Sequence, residues 1–525
     1  MKKGIDIPVI IGTRGSELAL WQARFTQEEF KKNGILSELK IIKTTGDATQ
    51  DWNLSFDKIE GKGFFTKELE EALLHHEIDL AVHSCKDLPT ESPQGLDITA
   101  YSKRANPFDI LLIKKDKADA TQLLKLPLNA VVGTSSARRK SQLLAFRPDI
   151  ELRDLRGNVP TRVQKLKDGL YDAILLAVAG LERLQISLDD FETIELKAPM
   201  FVPAPAQGVL AFQIRWDDEE MKSICGILHD QSSEKITSIE RQILHDFEGG
   251  CQMPLGVYSV LKGEDIHTWI AQADAWNTLP KRIHFVIAPE QNFDSAAVVS
   301  RFKNNDPSSV FISSDLEENN YLQRVLEAHH YSLSYRSLLD FTSTDFYFDG
   351  NADWLFFSSK NAIRFFFDKA DPSNLQKIKL AAVGESTAQD LRKMGLRVDF
   401  TGDGSGAGSA RLFEQATSGK VVFPIAGNSL REVQKNITSA TIQTSDLVVY
   451  QNTPSGKIEK RAEKILVFTS SMNAAAYFEK HRLEPYQQVI ANGASTSKKL
   501  TELSIPHSIT FTPYAWSIAD SIFSL

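Results

Sequence analysis

Nine cationic side chains crowd into residues 138–167: Arg138, Arg139, Lys140, Arg147, Arg153, Arg156, Arg162, Lys165 and Lys167, opposed there only by Asp149, Glu151 and Asp154. The chain around them is acidic, with a formal net charge of -8. Arginine outnumbers lysine in this island, and its planar fork pairs carboxylate or phosphate through two parallel bonds. The chemistry implied is recognition of a polyanion. A second candidate is Cys251, in Gly249-Gly250-Cys251-Gln252-Met253-Pro254-Leu255-Gly256. Glycines let backbone come close to a bound group, and a thiolate serves as nucleophile or attachment point. A lone cysteine is more often a small buried hydrophobe, the reading that fits Cys225. A third candidate is Lys86-Asp87, just after the apolar run Leu80-Ala81-Val82. A carboxylate there can hold a cation or move protons, though a turn cap or an ion pair fits the spacing equally well. His83 reads as a packed histidine.

Two segments have the build of anion sites. Gly133-Thr134-Ser135-Ser136 precedes Arg138-Arg139, and Arg156-Gly157-Asn158-Val159-Pro160-Thr161-Arg162 offers a second helix start with two more arginines. Backbone N–H groups and hydroxyls at a helix start donate to anions while guanidiniums add charge. Taken singly, each is also an ordinary N-cap before a solvated face. Together they suggest a ligand with several carboxylates.

The elements that must position these groups alternate short apolar runs with helical patterns. Val9-Ile10-Ile11 leads to Gly12-Thr13-Arg14 and a helix through Leu18, Trp21, Phe25 and Phe30; Leu80–Val82, Val131-Val132, Ile150–Leu155 and Asp172–Ala177 read as further strands. This βαβ rhythm predicts parallel sheets with helices on their faces, and polar motifs directly after strands lie where open α/β sheets bind ligands. From about residue 230 to 307 the pattern suits a small α+β unit, and Lys303-Asn304-Asn305-Asp306-Pro307-Ser308 reads as a linker. Beyond it the chain repeats itself: Phe356–Ala362 matches Phe468–Ala474 at an offset of 112, and Gly384–Thr387 matches Gly493–Thr496 at an offset of 109. Two similar α/β lobes are expected. Gly402-Asp403-Gly404-Ser405-Gly406-Ala407-Gly408 lacks the third glycine of a dinucleotide fingerprint and reads as a flexible connection.

Length and composition bound the rest. A chain of 525 residues needs two to four domains, and its 42% hydrophobic and 24% charged residues are ordinary for a globular protein. No apolar run approaches the ~20 residues that span a bilayer, and Met1-Lys2-Lys3-Gly4-Ile5-Asp6 has no apolar core of a signal peptide. The three cysteines cannot all pair and show no zinc spacing. The expectation is a metal-free, cytoplasmic, monomeric protein that binds neither nucleic acid nor membrane.

These segments together resemble hydroxymethylbilane synthase (porphobilinogen deaminase). The resemblance rests on Gly12-Thr13-Arg14 with Leu18–Ala23, Gly61–Glu70, Asp79–Pro89, Gly133–Arg139, Leu155–Arg162, Leu176–Leu181, Pro203–Gly208 and the Cys251 loop, in family order over residues 8–300. It implies two hinged α/β domains of periplasmic-binding-protein type, domain 1 at about 1–107 and 208–229 and domain 2 at about 108–207. Domain 3, at about 230–307, would be a small α+β domain bearing the Cys251 loop. It further implies a dipyrromethane cofactor held by a thioether to Cys251, on which four porphobilinogen units are joined with loss of ammonia to give hydroxymethylbilane. By the same carry-over Asp87 is the catalytic carboxylate, stabilising a positive pyrrole nitrogen, with Lys86 beside it. Ser84, Lys86, Asp87, Thr134, Ser135, Ser136, Arg138 and Arg139 would hold the cofactor, and Arg14, Arg156, Arg162 and Arg183 the incoming pyrrole or growing chain.

Residues 308–525 resemble uroporphyrinogen-III synthase through the paired Phe-x-Ser-Ser segments, Val383–Ala388, Gly427–Arg431, Val448–Gln451 and Gly493–Thr496. The resemblance implies cofactor-free cyclisation of the linear tetrapyrrole with inversion of its last ring. Tyr450 would be the proton donor, and Ser470 and Thr496 cleft contacts. The whole then reads as a bifunctional enzyme whose tether raises the local concentration of the second site. The rival readings are an active deaminase with a non-catalytic C-terminal region and a two-lobe anion receptor without catalysis.

Overall fold

The computed structural model describes residues 8–43, 66–248, 253–289, 291–303, 308–370, 375 and 377–525. Cys251, residues 61–65 of the Gly61–Glu70 segment and most of the expected linker lie outside these residues. The chain forms two compact units, one of residues 1–118 and 128–306 and the other of residues 307–523 with 119–127.

The first unit contains two five-stranded mixed sheets and one three-stranded antiparallel sheet. In the first sheet the strands run Ser37–Ile41, Val9–Thr13, Leu80–Ser84, Leu210–Arg215 and Leu96–Tyr101 across its width. Val9–Thr13 pairs in parallel with both of its neighbours. The helix Glu17–Lys32 follows it directly, because the Ser16 hydroxyl accepts from Ala19 N and stops the strand geometry there. In the second sheet the order is Glu151–Arg153, Val131–Gly133, Ala173–Ala177, Asp109–Lys114 and Phe191–Leu196. The expectation of parallel sheets holds for the three strands at one side of each. It is corrected at Leu210–Arg215, antiparallel to both of its neighbours, and at Asp109–Lys114, likewise antiparallel to both. Periodicity in a buried apolar run does not encode strand direction; connectivity does. These two strands are where the chain crosses from one sheet to the other.

The crossings run side by side. Ala105 N donates to Gly208 O (3.1 Å), and Gln207 Nε2 donates to Pro107 O (2.6 Å). Gly208 has φ +93°, and a Cβ built on it would lie 2.6 Å from Ala105 O. Only glycine fits that approach without strain.

The remainder of this unit matches the α+β expectation. The helix Gln231–Asp246 packs on the antiparallel sheet Leu255–Lys262, Asp265–Gln272 and Lys281–Ile287. It is pinned to the crossings by Glu240, which is 0% exposed. Glu240 accepts from Arg104 (2.8 and 3.2 Å), Ala206 N (2.6 Å) and Ser259 N (2.7 Å). Four donors saturate a buried carboxylate, the condition under which burying the pair is tolerated. Gly256 has its own close approach: a Cβ there would stand 2.5 Å from Val202 O. This glycine of the Cys251 loop segment therefore serves contact with the chain's own backbone.

The second unit has two lobes. One sheet is ordered Ser332–Tyr335, Ser309–Ile312, Ile465–Phe468, Gln488–Ala491 and Ser508–Ile509, all parallel. The other runs Ile442–Pro454, Gly419–Ala426, Trp354–Phe357, Lys379–Ala382 and Phe400–Thr401, also parallel, with Leu339–Ser343 added antiparallel at its edge. Matched element by element the two orders are the same, and the chain enters them at different strands, so one lobe is a circular permutation of the other. The structure corrects the repeat register. Trp354–Phe357 corresponds to Ile465–Phe468, and the caps Ser359 and Ser470 correspond, an offset of 111 in place of 112. The Gly402–Gly408 run is likewise more than a connection, since the helix Gly406–Ala416 starts inside it with Ser405 as cap.

Gly208→Ala should lower stability by about 1–3 kcal/mol, the usual cost of a left-handed non-glycine residue. Urea unfolding of the purified variant beside wild type measures it, and an unchanged midpoint would show that the crossings relax.

Candidate active site

Strand direction places the singled-out residues of the first unit at the carboxyl ends of its parallel strands. Arg14 follows Val9–Thr13, and the turn Cys85–Asp87 follows Leu80–Ser84. Thr134–Ser136 follows Val131–Gly133, Arg156 lies beyond Glu151–Arg153, and Arg183 ends the helix that follows Ala173–Ala177. Because Asp109–Lys114 runs the other way, its first residue, Asp109, stands at the same edge, opposite Ala177.

Asp109 is 0% exposed and organises that edge. Its Oδ2 accepts from Arg138 Nη1 (2.7 Å), and its Oδ1 accepts from Arg139 Nη2 (2.7 Å) and Nε (3.1 Å). Burial pushes this carboxyl up, but the two guanidiniums override it and hold it well below the usual carboxylate range. Arg138 also donates to Val202 O (3.0 Å) and Arg139 to Leu175 O (3.1 Å). All three nitrogens of Arg139 thus bond to protein oxygens. Gln207 Nε2 adds a bond to Asp109 Oδ1 (3.1 Å), and Lys86 Nζ donates to Gln207 Oε1 (3.3 Å). Lys86 is lowered by burial, against the raising effect of Asp87. The chain Lys86–Gln207–Asp109–Arg138/Arg139 links residues from both sheets.

Asp87 is exposed and has no ion pair among the described residues. Its charge is felt at Arg162, whose pKa falls to about 10 through burial and the nearby Arg139, Asp87 acting the other way. Arg162 Nε donates to Gly157 O (2.7 Å), and Arg183 Nη2 to Gly208 O (2.9 Å). Burial lowers Arg183 to about 10 as well. Neither has a carboxylate partner among the described residues. Both are desolvated cations, the state an anionic ligand relieves.

The island of basic residues is only partly a ligand surface. Its three acidic residues are each taken locally: Arg147 by Asp149, Arg153 by Glu151 and Lys140 by Asp154, while Lys167 pairs with Asp190. The hydroxyls expected to donate to an anion are largely turned inward. Ser135 Oγ exchanges bonds with Leu155 O and N (2.9 and 3.0 Å), Ser136 Oγ caps the helix Ala137–Phe146 at Arg139 N, and Thr134 Oγ1 accepts from Ser136 N. Ser84 Oγ accepts from Gln22 Nε2 (2.8 Å), which leaves its own proton to donate. His83 is buried against Gln213 (3.1 Å), and burial, together with the charge of Arg14, lowers it to about 4. Burial thus favours its neutral form, and because Gln213 Nε2 donates to Glu70, the His83 ring donates to Gln213 Oε1.

In the second unit Tyr450 lies in the long strand Ile442–Pro454, stacked on Phe365 (5.1 Å between ring centroids) and near Phe341. Its hydroxyl is 3.4 Å from Ser359 Oγ, and burial raises its pKa. Ser470 caps the helix Ser471–Lys480, its Oγ accepting from Asn473 N and Nδ2. Thr496 is 1% exposed and turned to Asn492 O, so it shapes the fold of its helix start and presents no hydroxyl to solvent.

Sequence reading missed Asp109, Gln207, Arg104 and Glu240. The signal for Asp109 was an acid at the head of an apolar strand, Asp109-Ile110-Leu111-Leu112-Ile113. Arg104 and Glu240 are 136 residues apart and carried none. Among the described residues no cluster of ligating side chains could hold a metal, and no helix is long and apolar enough to cross a membrane.

Comparison with known proteins gives three family matches. Residues 9–223 match the porphobilinogen deaminase dipyrromethane cofactor binding domain, residues 235–288 the porphobilinogen deaminase C-terminal domain, and residues 327–514 uroporphyrinogen-III synthase HemD. The porphobilinogen deaminase of Chlorobium chlorochromatii (strain CaD3) is 47% identical over 253 residues, 48% of this chain and 78% of that protein. That of Oceanobacillus iheyensis is 44% identical over 258 residues, 49% of this chain and 82% of that protein. Among solved structures, a uroporphyrinogen-III synthetase from Helicobacter pylori 26695 aligns at 23% identity and a TM-score of 0.32, covering 41% of this chain and 99% of that one.

Asp109→Asn should cost about 3–5 kcal/mol, because it strands two buried guanidiniums. The folded pKa is depressed, so this stabilisation is fully present above the unfolded value of about 4 and is lost progressively as pH falls below it. Unfolding free energies between pH 3 and 7 should therefore show a flatter acid limb for the variant; parallel limbs would refute the assignment.

Proposed function

The chain belongs to the porphobilinogen deaminase family, and from that membership we propose how its residues carry out a two-step synthesis. It is a bifunctional enzyme of tetrapyrrole biosynthesis. The first unit joins four porphobilinogen molecules into hydroxymethylbilane with release of ammonia, and the uroporphyrinogen-III synthase region closes that chain to uroporphyrinogen III. The observation that carries the site assignment is an exposed Asp87, without an ion partner among the described residues, whose charge reaches the desolvated guanidinium of Arg162. Substrates bearing an acetate and a propionate on every pyrrole need cations in number, and a coupling that passes through a positive ring needs one carboxylate kept available.

A bound dipyrromethane supplies the pyrrole terminus on which the chain grows. The residues fit such a group, since the half-buried Lys86 and the buried Arg138 and Arg139 bring three cations to the strand edge against one buried carboxylate, Asp109. Cys251 is the proposed thioether anchor, and Ser84, Lys86, Thr134, Ser135, Ser136, Arg138 and Arg139 the holding set. For Thr134, Ser135 and Ser136 the contribution is the rigidity of a self-bonded turn, since Thr134 N donates to Arg153 O and Ser136 N to Thr134 Oγ1. Asp87 sets its carboxylate beside the pyrrole nitrogen of the incoming unit as ammonia departs and takes up the proton released on coupling. Arg14, Arg156, Arg162 and Arg183 hold the acetate and propionate groups, each charge-assisted bond contributing on the order of 1.5–3 kcal/mol. The paired crossings beside Gly208 support hinged, periplasmic-binding-protein-like domains with the boundaries expected from the sequence.

In the synthase region Tyr450 is the proposed acid. Burial keeps its phenol protonated, the state needed to donate to a departing hydroxyl. Ser470 is half-exposed at its helix start and is a candidate ligand contact; Thr496 supports the same edge from within. The working form is proposed to be a cytoplasmic monomer.

Intact mass of the purified protein should exceed the sequence mass by two linked pyrrole units, and Cys251→Ala should abolish the excess. An unmodified wild type from a host that makes porphobilinogen would favour an anion receptor. Tyr450→Phe should leave porphobilinogen consumption intact and slow ring closure by about 10²-fold or more, read as a rise in the non-inverted isomer. An unchanged isomer ratio would remove Tyr450 from the chemistry.

A further inference from the structure

Gln207 is 1% exposed in the turn Ala206–Gly208, which returns the chain from the second sheet to the first. Its amide can face only one way. Nε2 must donate to the two acceptors Pro107 O (2.6 Å) and Asp109 Oδ1 (3.1 Å), so Oε1 is left to accept from Lys86 Nζ (3.3 Å). The turn is held against its own preference. Ala206 has φ +60°, a left-handed conformation that costs alanine energy, whereas Gly208 adopts φ +93° freely. Glu240 Oε2 fixes Ala206 N (2.6 Å), while Arg104, paired to the same carboxylate, donates from Nε to Gln207 O (2.9 Å). Strained backbone of this kind persists where its surroundings over-determine it, and it marks positions whose placement matters.

Asp87 follows Lys86 directly in the chain, and the charges felt at Lys86 are those of Asp87, Arg139, Asp109 and Arg138. A lysine head with four methylenes of reach and an exposed carboxylate beside it would ordinarily pair. Here the ammonium is drawn instead to a neutral amide. We infer that Gln207 is a positioning residue of the deaminase reaction: by holding Lys86 on the Asp109 side, it keeps the Asp87 carboxylate unpaired for the substrate. The inference rests on the deaminase reading above. Gln207 acts through Lys86 and needs no contact with the reacting pyrrole. The helix bearing Glu240 thereby gains a part in catalysis, since it fixes the turn from which Gln207 projects.

The test is Gln207→Leu in the full chain, which removes the acceptor while keeping the volume. Lys86 should move onto Asp87. The expected result is a kcat for porphobilinogen consumption reduced about tenfold or more, with KM changed less than twofold and dipyrromethane loading by mass as in wild type. Competitive amine labelling followed against pH should also show the Lys86 ammonium titrating higher, because a carboxylate has replaced an amide as its partner. Gln207→Asn keeps a buried amide but is one methylene too short to span both sides. It should show the same two changes and serves if the leucine variant does not fold. Wild-type kcat together with an unshifted Lys86 titration in either folded variant overturns the inference alone. A wild-type protein inert toward porphobilinogen and lacking the mass excess overturns the deaminase reading, and the inference with it.

Discussion

One buried carboxylate between two guanidiniums sets the terms for the first unit. Asp109 neutralises one of the charges on Arg138 and Arg139 and leaves the other, and the burial that makes the triad costly to assemble also keeps its field from being screened. A protein of net charge -8 thereby presents a locally positive edge to an anionic ligand. The rest of the arrangement follows from keeping that triad intact: an antiparallel strand to bring Asp109 to the right edge, a glutamine to complete its bonding, and paired crossings to carry the glutamine.

The division between fixed and available charge also explains why the basic island is uneven. Arg147 and Arg153 are matched by carboxylates two residues away and Lys140 by Asp154 across the strand end, which gives the second sheet a stable face. Arg162 and Arg183 make one backbone bond each and stay short of a counter-charge among the described residues. Their lowered pKa values express the same thing as a readiness to bind anions. His83 and Ser135 are instead tied into the fold, the one by its bond to Gln213 and the other by its exchange with Leu155.

What the sequence made legible was the position of polar motifs after apolar runs, since a strand end followed by a helix cap is a local event written in adjacent residues. The Ser16, Ser136 and Asn158 caps all follow that rule. What it hid was anything decided by pairing across distance. Strand direction at Leu210–Arg215 depends on where the chain returns from, and the Arg104–Glu240 bond joins segments with no shared pattern. The duplication in the second unit lay between these cases. Its chemistry was visible, but a Phe-Phe doublet beside a single Phe left the register open by one residue, and only the strand ends and caps resolve it.

The interleaving of the chain has a consequence for how the molecule comes to exist on a ribosome. In the second unit the strand Ser309–Ile312 lies next to Ile465–Phe468, with an entire lobe made in between. At about 5–20 residues per second, roughly 8–30 s separate the emergence of those two strands. During that interval Val310, Phe311 and Ile312, all buried in the finished sheet, have no strand on that side. The inserted lobe, whose strands are contiguous from residue 354 to 454, can close first and act as a platform. Amino-acid changes that slow closure of that lobe therefore lengthen the exposure of a segment far from them, and part of their effect falls on yield during synthesis.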